Sequence, residues 1–351
     1  MRDWLLSAGI RWRGWSRRRR AAVAAGLVLA MLLLPVGAAA VALRFGFAGE
    51  PSAEARTRGR DAVWLGHAWV DGRKTDTDVA GLVTTLAGTG IKDLYVHTGP
   101  LEHDGSLRGE LHSRAQWFVD AVHRALPGIR VQSWLGDVVA PEFDGLHLDE
   151  AAVRDRITAS AARVVDLGFD GVHLDLEPVR SGTSGYLTLL DQVRAVTASR
   201  GAPLSVSAPQ IDPLPGLHSV GVTLFDHGKW WSQEYFADVA RRVNQIALMS
   251  YDTSMPWGSL YGGYVAQQTA LALEATPANV DLLMGLPAFW ADDPGHHGAA
   301  ETVANAVRAI RLALSRNGLR RPAFGVALYV DFAATPADWA TYRREWCAPT
   351  Q

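Results

Sequence analysis

The chain has 351 residues, of which 48% are hydrophobic and 20% are charged, a balance typical of a globular protein rather than a disordered one. This length is enough for one large domain or two ordinary ones. The formal net charge of −2 is divided unevenly: residues 1–20 contain seven arginines and one acid, and the remainder contains 27 basic and 35 acidic residues. An acidic body argues against a nucleic-acid partner.

An uncharged apolar segment follows the basic tail. It covers residues 21–43, and its 23 residues are enough to cross a bilayer, which needs about 20. Two interpretations remain open: a transmembrane signal anchor, or a signal peptide with Ala38-Ala-Ala40 as its cleavage site. The preceding arginines should stay in the cytoplasm, so the body is expected outside, either held at the cell membrane or secreted.

Composition divides the chain into four regions. A basic cytoplasmic tail (1–20) precedes the apolar segment (21–43), and a polar stretch without periodicity (44–60) is typical of a linker. The folded domain is then 61–351. Its single cysteine, Cys347, cannot form an internal disulfide, so an exported domain would depend on its hydrophobic core.

From residue 61 onward, short apolar runs alternate with amphipathic stretches, which predicts a parallel sheet with crossover helices. Eight repeats favour a closed (β/α)8 TIM barrel, and no G-x-G-x-x-G turn follows the first strand to support a doubly wound sheet. The predicted strands are 63–70, 93–97, 130–135, 171–177, 204–208, 245–250, 282–287 and 324–330. The predicted helices lie near 77–88, 113–126, 149–167, 184–200, 233–242, 264–275, 299–316 and 336–346.

The predicted fourth strand carries the strongest functional pattern. His173, Asp175 and Glu177 share one of its faces, because successive side chains of a strand point to opposite sides. Buried carboxylates are costly unless they are paired, so a fold that contains them usually uses them for proton transfer. Repulsion between two acids about 6.6 Å apart raises one pKa. Glu177 is the better proton donor and Asp175 the better partner.

In a TIM barrel the active site lies at the carboxyl ends of the strands. Glu177 ends the fourth predicted strand, and Tyr251 and Asp252 directly follow the sixth. Aromatic residues near other strand ends are expected to contact a sugar through their rings. They are Trp69, Trp134, Trp290 and Tyr329.

Several histidines could approach the same rim. The spacing of His67, His97 and His173 matches no metal-binding signature, and we predict neither a metal nor a cofactor. The pair His296 and His297 lies in a loop rich in proline and glycine and is expected to be solvated.

Four motifs resemble glycoside hydrolase family 18, the chitinase family. DGVHLDLE at 170–177 is similar to its fourth-strand D-G-x-D-x-D-x-E motif and matches at the first Asp, the Gly, the last Asp and the Glu. QIALMSYD at 245–252 resembles the sixth-strand Q-x-x-x-M-x-Y-D motif. GLP at 285–287, followed by Phe289, resembles the seventh-strand G-x-P-x-[YF] pattern, and SWLG at 133–136 is a partial third-strand S-x-G-G motif.

This resemblance implies substrate-assisted, retaining hydrolysis of a β-linked N-acetylglucosamine-containing glycan such as chitin or peptidoglycan. The substrate's acetamido oxygen would attack the anomeric carbon while Glu177 protonates the leaving oxygen and later activates water. Asp175 would orient the acetamido N–H, Tyr251 would bind the acetamido oxygen, and Asp252 would line the sugar subsite. The resemblance thus implies a glycan partner, and the apolar N-terminal segment predicts a second partner, the membrane.

The chain departs from the family pattern at three positions. His173 replaces an Asp, and we expect it to hydrogen-bond Asp175 at the substrate site and, as an imidazolium, to change the proton cycle. Leu135 replaces a glycine of the third-strand motif. Tyr329 stands near the place of a tryptophan that forms the floor of the sugar subsite. An alternative function is therefore a catalytically weak or inactive chitinase-like protein that binds glycan.

Overall fold

The structure is a computed structural model that describes residues 16–225 and 228–347. Eight parallel strands form a closed barrel, which confirms the predicted (β/α)8 fold, and β1 pairs with both β2 and β10 to close it. The barrel strands are β1 (Asp61–Leu65), β2 (Ile91–Pro100), β3 (Arg130–Val138), β4 (Gly171–Glu177), β5 (Leu204–Ala208), β8 (Gln245–Leu248), β9 (Asp281–Pro287) and β10 (Phe324–Tyr329). Two short strands, β6 (Gln210–Ile211) and β7 (Trp230–Trp231), pair outside the barrel.

Helices surround the strands. Those of the described residues are α1 (Arg17–Gly46), α2 (Asp76–Leu86), α3 (Ala115–Ala125), α4 (Ala151–Asp166), α5 (Ser184–Ala198), α6 (Leu217–Phe225), α7 (Gln233–Ala240), α8 (Gly258–Ala275), α9 (Val303–Asn317) and α10 (Pro336–Glu345). The sequence patterns did not predict β6, β7 or α6. The two strands have two residues each, which is too short to show a periodicity. The first strand ends at Leu65 rather than at residue 70, and a 3-10 turn, His67–Trp69, follows it.

The barrel strands are apolar runs because both of their faces are covered. All residues of β1 and β9 are buried, as expected for a parallel sheet enclosed by helices. Helix starts are marked by local capping: Thr335 and Asp338 form a capping box at α10, with Pro336 in the first turn. The main core lies between the strands and the helices, and a smaller aromatic cluster fills the barrel interior.

A polar network also crosses the barrel interior. Asp93 is fully buried and accepts two hydrogen bonds from Arg130, at 2.6 and 2.7 Å. It also accepts from the side-chain amides of Gln132 (2.9 Å) and Gln245 (3.1 Å), and Tyr95 donates to Gln245 at 2.7 Å. A buried polar network is stabilising only when its members find partners, and this one links β2, β3 and β8.

The N-terminal helix α1 extends to Gly46 and is long and apolar enough to cross a membrane, with a mean hydropathy of 2.4 over an 18-residue window. Most of the basic tail predicted for 1–20 lies outside the described residues, which begin at residue 16. The last turn of α1 packs against α8, where Leu43 and Phe47 lie against Gly262 and Gly263.

The chain between α1 and β1 also packs on the barrel. Arg311 of α9 donates to the backbone carbonyl of Ala55 at 2.9 Å, and Ala55 itself is fully buried. Ser52 donates its backbone N–H to the Ser315 hydroxyl at 2.7 Å. This differs from the linker predicted for 44–60, because polar residues without periodicity can still be held by side chains from distant helices.

We predict that Gly263→Ala destabilises the protein, because a Cβ there would lie 2.0 Å from the carbonyl oxygen of Leu43. Overpacking of this kind costs about 1–3 kcal/mol. The matched control is Gly81→Ala on α2, where a Cβ meets nothing within 4 Å and should add about 0.5–1 kcal/mol of helix stability. Chemical denaturation measures the free energy of unfolding of both variants. If the Gly263→Ala variant is as stable as the Gly81→Ala variant, the end of α1 is not docked on α8.

Candidate active site

A cavity of about 380 Å³ opens at the carboxyl ends of the strands, and six of the residues predicted from the sequence line it. They are Trp134, Asp175, Glu177, Tyr251, Asp252 and Tyr329. An adjoining cavity of about 490 Å³ shares Glu177, Tyr251 and Asp252. It adds Gln210 and Lys229, which the sequence patterns did not single out because both lie in the irregular insertion between β5 and α7.

Strand register sets the depth of each side chain on β4. Trp134 lies opposite His173, Gly136 opposite Asp175, and Val138 opposite Glu177. Glu177 therefore lies at the barrel mouth, with Asp175 one layer deeper and His173 deeper still. Asp170 lies just before this strand and outside the cavity. It supports the strand by accepting a hydrogen bond from the backbone N–H of Val131 at 2.7 Å.

Asp175 and Glu177 form a carboxylate pair. The pKa of Glu177 is raised well above its usual value, first by burial, then by the charge of Asp175 and a hydrogen bond to it, and last by Asp252. Glu177 is accessible from the cavity, yet the barrel mouth surrounds it, so its carboxylate is solvated less well than on an open surface. This arrangement favours a proton on Glu177 near neutral pH.

Two buried polar atoms beside this pair have no hydrogen-bond partner among the described residues: Oδ1 of Asp175 and the indole Nε1 of Trp134. Buried polar atoms nearly always find partners. One is an acceptor and the other a donor, so a polar ligand in the cavity could satisfy both. The Trp134 ring meets His97 edge-on at 4.7 Å and Tyr329 at 6.3 Å, which holds it in the cavity wall.

The phenol ring of Tyr251 is held tightly at the cavity. It stacks on Tyr329 at 5.3 Å and meets Phe289 edge-on at 5.7 Å. A Cβ at Gly285 would lie only 2.8 Å from Cε1 of Tyr251, so a glycine is needed where the ring crosses β9. Burial, followed by the charges around it, raises the pKa of Tyr251 well above its usual value, so its hydroxyl stays protonated and can donate.

Asp252 lies at the mouth in the left-handed backbone region, with φ of 56°. Non-glycine residues rarely adopt it, although Asp is among those that do, and such residues cluster at functional sites. Its Oδ1 contacts Nδ1 of His296 at 2.9 Å. His296 is only 1% exposed, which differs from the solvated position expected for it, because its loop folds back and its ring lies 4.2 Å from Phe289.

His173 does not reach the cavity, contrary to the expectation of a substrate contact. It is fully buried, its Nδ1 lies 2.7 Å from the Ser205 hydroxyl, and its Nε2 lies 3.0 Å from the Ser207 hydroxyl. Trp64 donates its indole N–H to Nε2 at 3.1 Å. Because indole can only donate, Nε2 must be unprotonated and the imidazole neutral. Burial lowers the pKa of His173 to about 3, so the expected imidazolium beside Asp175 is not supported.

Two predicted sugar-contacting tryptophans also lie elsewhere. Trp69 follows the early end of β1 and lines a separate cavity of about 1060 Å³, where it donates to Asp331 at 2.7 Å. Trp290 is 55% exposed on the rim and donates to Asp338 at 3.3 Å. Neither residue lines the cavities that contain Glu177. The sequence pattern correctly places both tryptophans near strand ends. The loops that follow those strands then direct them away from the cavities that contain Glu177.

The structure is thus a closed parallel (β/α)8 barrel with a carboxylate pair at the end of its fourth strand. The chitinase from Chromobacterium violaceum ATCC 12472 has a similar structure, with a TM-score of 0.55 and 16% identity over 81% of this chain and 98% of that one. The spore cortex-lytic enzyme SleL of Bacillus megaterium QM B1551 is also similar, with a TM-score of 0.57 and 13% identity over 83% of this chain and 75% of that one.

A third similar structure is the Group IV chitinase of Ostrinia furnacalis, with a TM-score of 0.55 and 15% identity over 81% of this chain and 98% of that one. No protein-family model matches the sequence, and no curated protein matches it. At these identities the likeness establishes the fold, and the resemblance to the chitinase barrel is confirmed at that level.

We predict that His173 makes stability dependent on pH below neutrality. Its pKa in the folded state, about 3, lies below its usual value of about 6.5, so the unfolded state binds the proton first. Its stabilising contribution is complete above pH 6.5 and falls by about 1.4 kcal/mol per pH unit below it. Urea denaturation at several pH values between 6 and 4 measures the free energy of unfolding. This free energy should depend less steeply on pH in His173→Gln than in the wild type. Parallel slopes would mean that His173 titrates normally.

Proposed function

We propose that this protein is a glycoside hydrolase that cuts β-linked N-acetylglucosamine-containing glycans by substrate-assisted, retaining hydrolysis. The observation that carries the proposal is the pair of Asp175 and Glu177 facing Tyr251 in one cavity at the end of β4. The fold shared with chitinases and a cortex-lytic enzyme supports the same class of reaction.

In the first step Glu177 gives its proton to the glycosidic oxygen as the bond from that oxygen to the anomeric carbon breaks. The acetamido oxygen of the same sugar forms a bond to the anomeric carbon and closes an oxazolinium ring. The free Oδ1 of Asp175 accepts the acetamido N–H, and the protonated hydroxyl of Tyr251 donates to the acetamido oxygen. Both contacts hold the acetamido group in line for attack.

In the second step the Glu177 carboxylate takes a proton from water while the water oxygen attacks the anomeric carbon. The bond to the acetamido oxygen breaks, the ring opens, and Glu177 is protonated again. Two attacks on opposite faces retain the configuration of the sugar. Trp134 and Tyr329 would form the aromatic wall of the sugar site, with Tyr329 in place of the tryptophan that the family resemblance implies.

A neutral His173 would take no part in the proton transfers of this reaction. Both of its ring nitrogens are occupied by Ser205, Ser207 and Trp64, so it shares no proton with Asp175. The replacement of the family's Asp by this neutral histidine favours the second candidate function, a chitinase-like protein that binds glycan and turns it over slowly or not at all.

We propose that the barrel acts outside the cytoplasmic membrane. The support is the helix α1, whose length and hydropathy suit a membrane span or a signal sequence. The contacts of Leu43 and Phe47 with α8 would hold the domain directly at the end of an anchor, without a flexible spacer.

Glu177→Gln should lower turnover of N-acetylglucosamine glycans by about 10²–10⁴-fold, because the amide has no proton to transfer. Binding should persist, since the amide has the same shape. Mass spectrometry of chitin, peptidoglycan and N-glycan digests measures turnover, and calorimetry measures binding. Glu110→Gln, an exposed acid outside the cavity, is the control and should match the wild type. Wild-type binding without any cleavage would favour the glycan-binding function.

Asp175→Asn should move the alkaline decline of kcat/KM to lower pH. Removing the Asp175 charge removes one of the causes that raise the pKa of Glu177, so the general acid loses its proton at a lower pH. The rate should also fall, because the acetamido N–H loses its anionic acceptor. A pH–rate profile whose alkaline limb stays in place would show that Asp175 does not control the proton on Glu177.

A further inference from the structure

We propose that His296 is a positioning residue of this active site, which together with Glu301 holds the side chain of Asp252 and balances its charge at the sugar subsite. The inference rests on the proposed glycosidase function. Nδ1 of His296 lies 2.9 Å from Oδ1 of Asp252 and 3.5 Å from Oε2 of Glu301. One imidazole therefore lies between two carboxylates, one in the cavity and one in the core.

Glu301 is fixed in place by the residue that follows Asp252. Its Oε1 accepts from both the backbone N–H and the hydroxyl of Thr253, each at 3.0 Å. The side chain of Glu301 is completely buried, and that of His296 is 1% exposed, whereas the side chain of Asp252 is 54% exposed. Of these three groups only Asp252 lines the cavity, and the other two connect it to the buried core.

The backbone of this loop explains why such a support is needed. Asp252 has φ of 56° and Ser254 has φ of 60°, so two nearby residues occupy the left-handed region. Each such residue costs of order 1–3 kcal/mol and persists only when its surroundings hold it there. Contacts from His296 and Glu301, and the hydrogen bond from Ser254 N–H to the carbonyl of Gly295 at 2.8 Å, supply that hold.

The hydrogen-bonding chemistry determines where the proton lies. Ionised carboxylates can only accept, so Nδ1 must carry a hydrogen. Burial lowers the pKa of His296, but the hydrogen bond to Asp252 and the charges of Glu301, Asp252 and Asp293 outweigh it and leave the pKa raised. Lys229, whose own pKa burial lowers, interacts with both carboxylates from the other side of the cavity. The hydroxyl of Tyr261 on α8 also interacts with both carboxylates, and Glu177, Tyr251 and Tyr329 interact with Asp252.

This placement affects the general acid. The negative charge of Asp252 is one of the causes that raise the pKa of Glu177. The Nδ1–H of His296, 2.9 Å from Oδ1 of Asp252, offsets part of that charge. Removing His296 should therefore raise the pKa of Glu177 further and loosen the carboxylate that lines the sugar subsite.

The test compares His296→Gln with His297→Gln, which changes the adjacent histidine, a partly exposed side chain directed to Asp292 instead. In His296→Gln we expect KM to rise, kcat/KM to fall by up to about 100-fold, and the alkaline limb of the pH profile to move to higher pH. The His297 variant should keep the wild-type profile. A purely structural role would lower the denaturation midpoint without moving the limb, and that result would overturn the proposal.

A second measurement needs no turnover. The ring nitrogens of His296 are followed by NMR titration in the wild type, in Asp252→Asn and in Glu301→Gln, without glycan. Each substitution should lower the pH at which the ring titrates. If this coupling is present but no glycan is cut, the proposed hydrolase function fails and the cluster stands. If the ring titrates identically in all three proteins, the positioning role fails.

The ligand atoms of Asp252, His296 and Glu301 lie within 4.8 Å of one another, so the test also includes divalent cations. Zinc, calcium and a chelator are each added to the wild type, with KM and thermal stability as readouts. No change is expected if hydrogen bonds hold the cluster. Saturable stabilisation by one cation, lost in Glu301→Gln, would assign these residues to a metal site and overturn the proposal.

Discussion

A chain of hydrogen bonds through the barrel interior fixes the protonation of the histidine beneath the carboxylate pair at the barrel mouth. Gln132 donates to Asp93, Ser205 donates to Gln132 at 3.0 Å, and Ser205 also meets Nδ1 of His173 at 2.7 Å. With the N–H of Trp64 at the other nitrogen, the imidazole has one tautomer and no charge. Asp175, one layer above, thus receives no positive charge from below, and its carboxylate partner is Glu177.

The mouth of the barrel combines rigid and strained parts. Asp175 and Glu177 come from the end of β4, which pairs with β5 as far as Leu174 and with β3 as far as Glu177, so their separation is set by the pairing with β3. Tyr251 is wedged between Tyr329, Phe289 and the bare backbone of Gly285. The loop at Asp252 adopts unfavourable backbone angles instead and depends on contacts from the next loop. Preorganised groups of this kind are what stabilise developing charge in a transition state.

Much of the fold follows from local patterns. Eight apolar runs alternating with amphipathic stretches predict the barrel, because a parallel strand must be buried on both faces and needs a crossover helix to reach the next one. The period-two alternation in 171–177 predicts that His173, Asp175 and Glu177 share a face, since strand geometry is local. Four of the residues at this cavity, Trp134, Tyr251, Asp252 and Tyr329, were found because they lie near the ends of predicted strands or directly follow them.

The sequence by itself determined the strand that carries the acids and the end of the barrel at which they lie. Only the tertiary structure decided that His173 is neutral, because its partners come from β1 and β5. It also decided that Trp69 and Trp290 turn away from Glu177, since no local rule gives the path of a loop. His296 illustrates the limit: its hydrogen-bond partner Asp252 is 44 residues away, and no spacing pattern connects them. Contacts between distant loops depend on the closed barrel that brings the strand ends together.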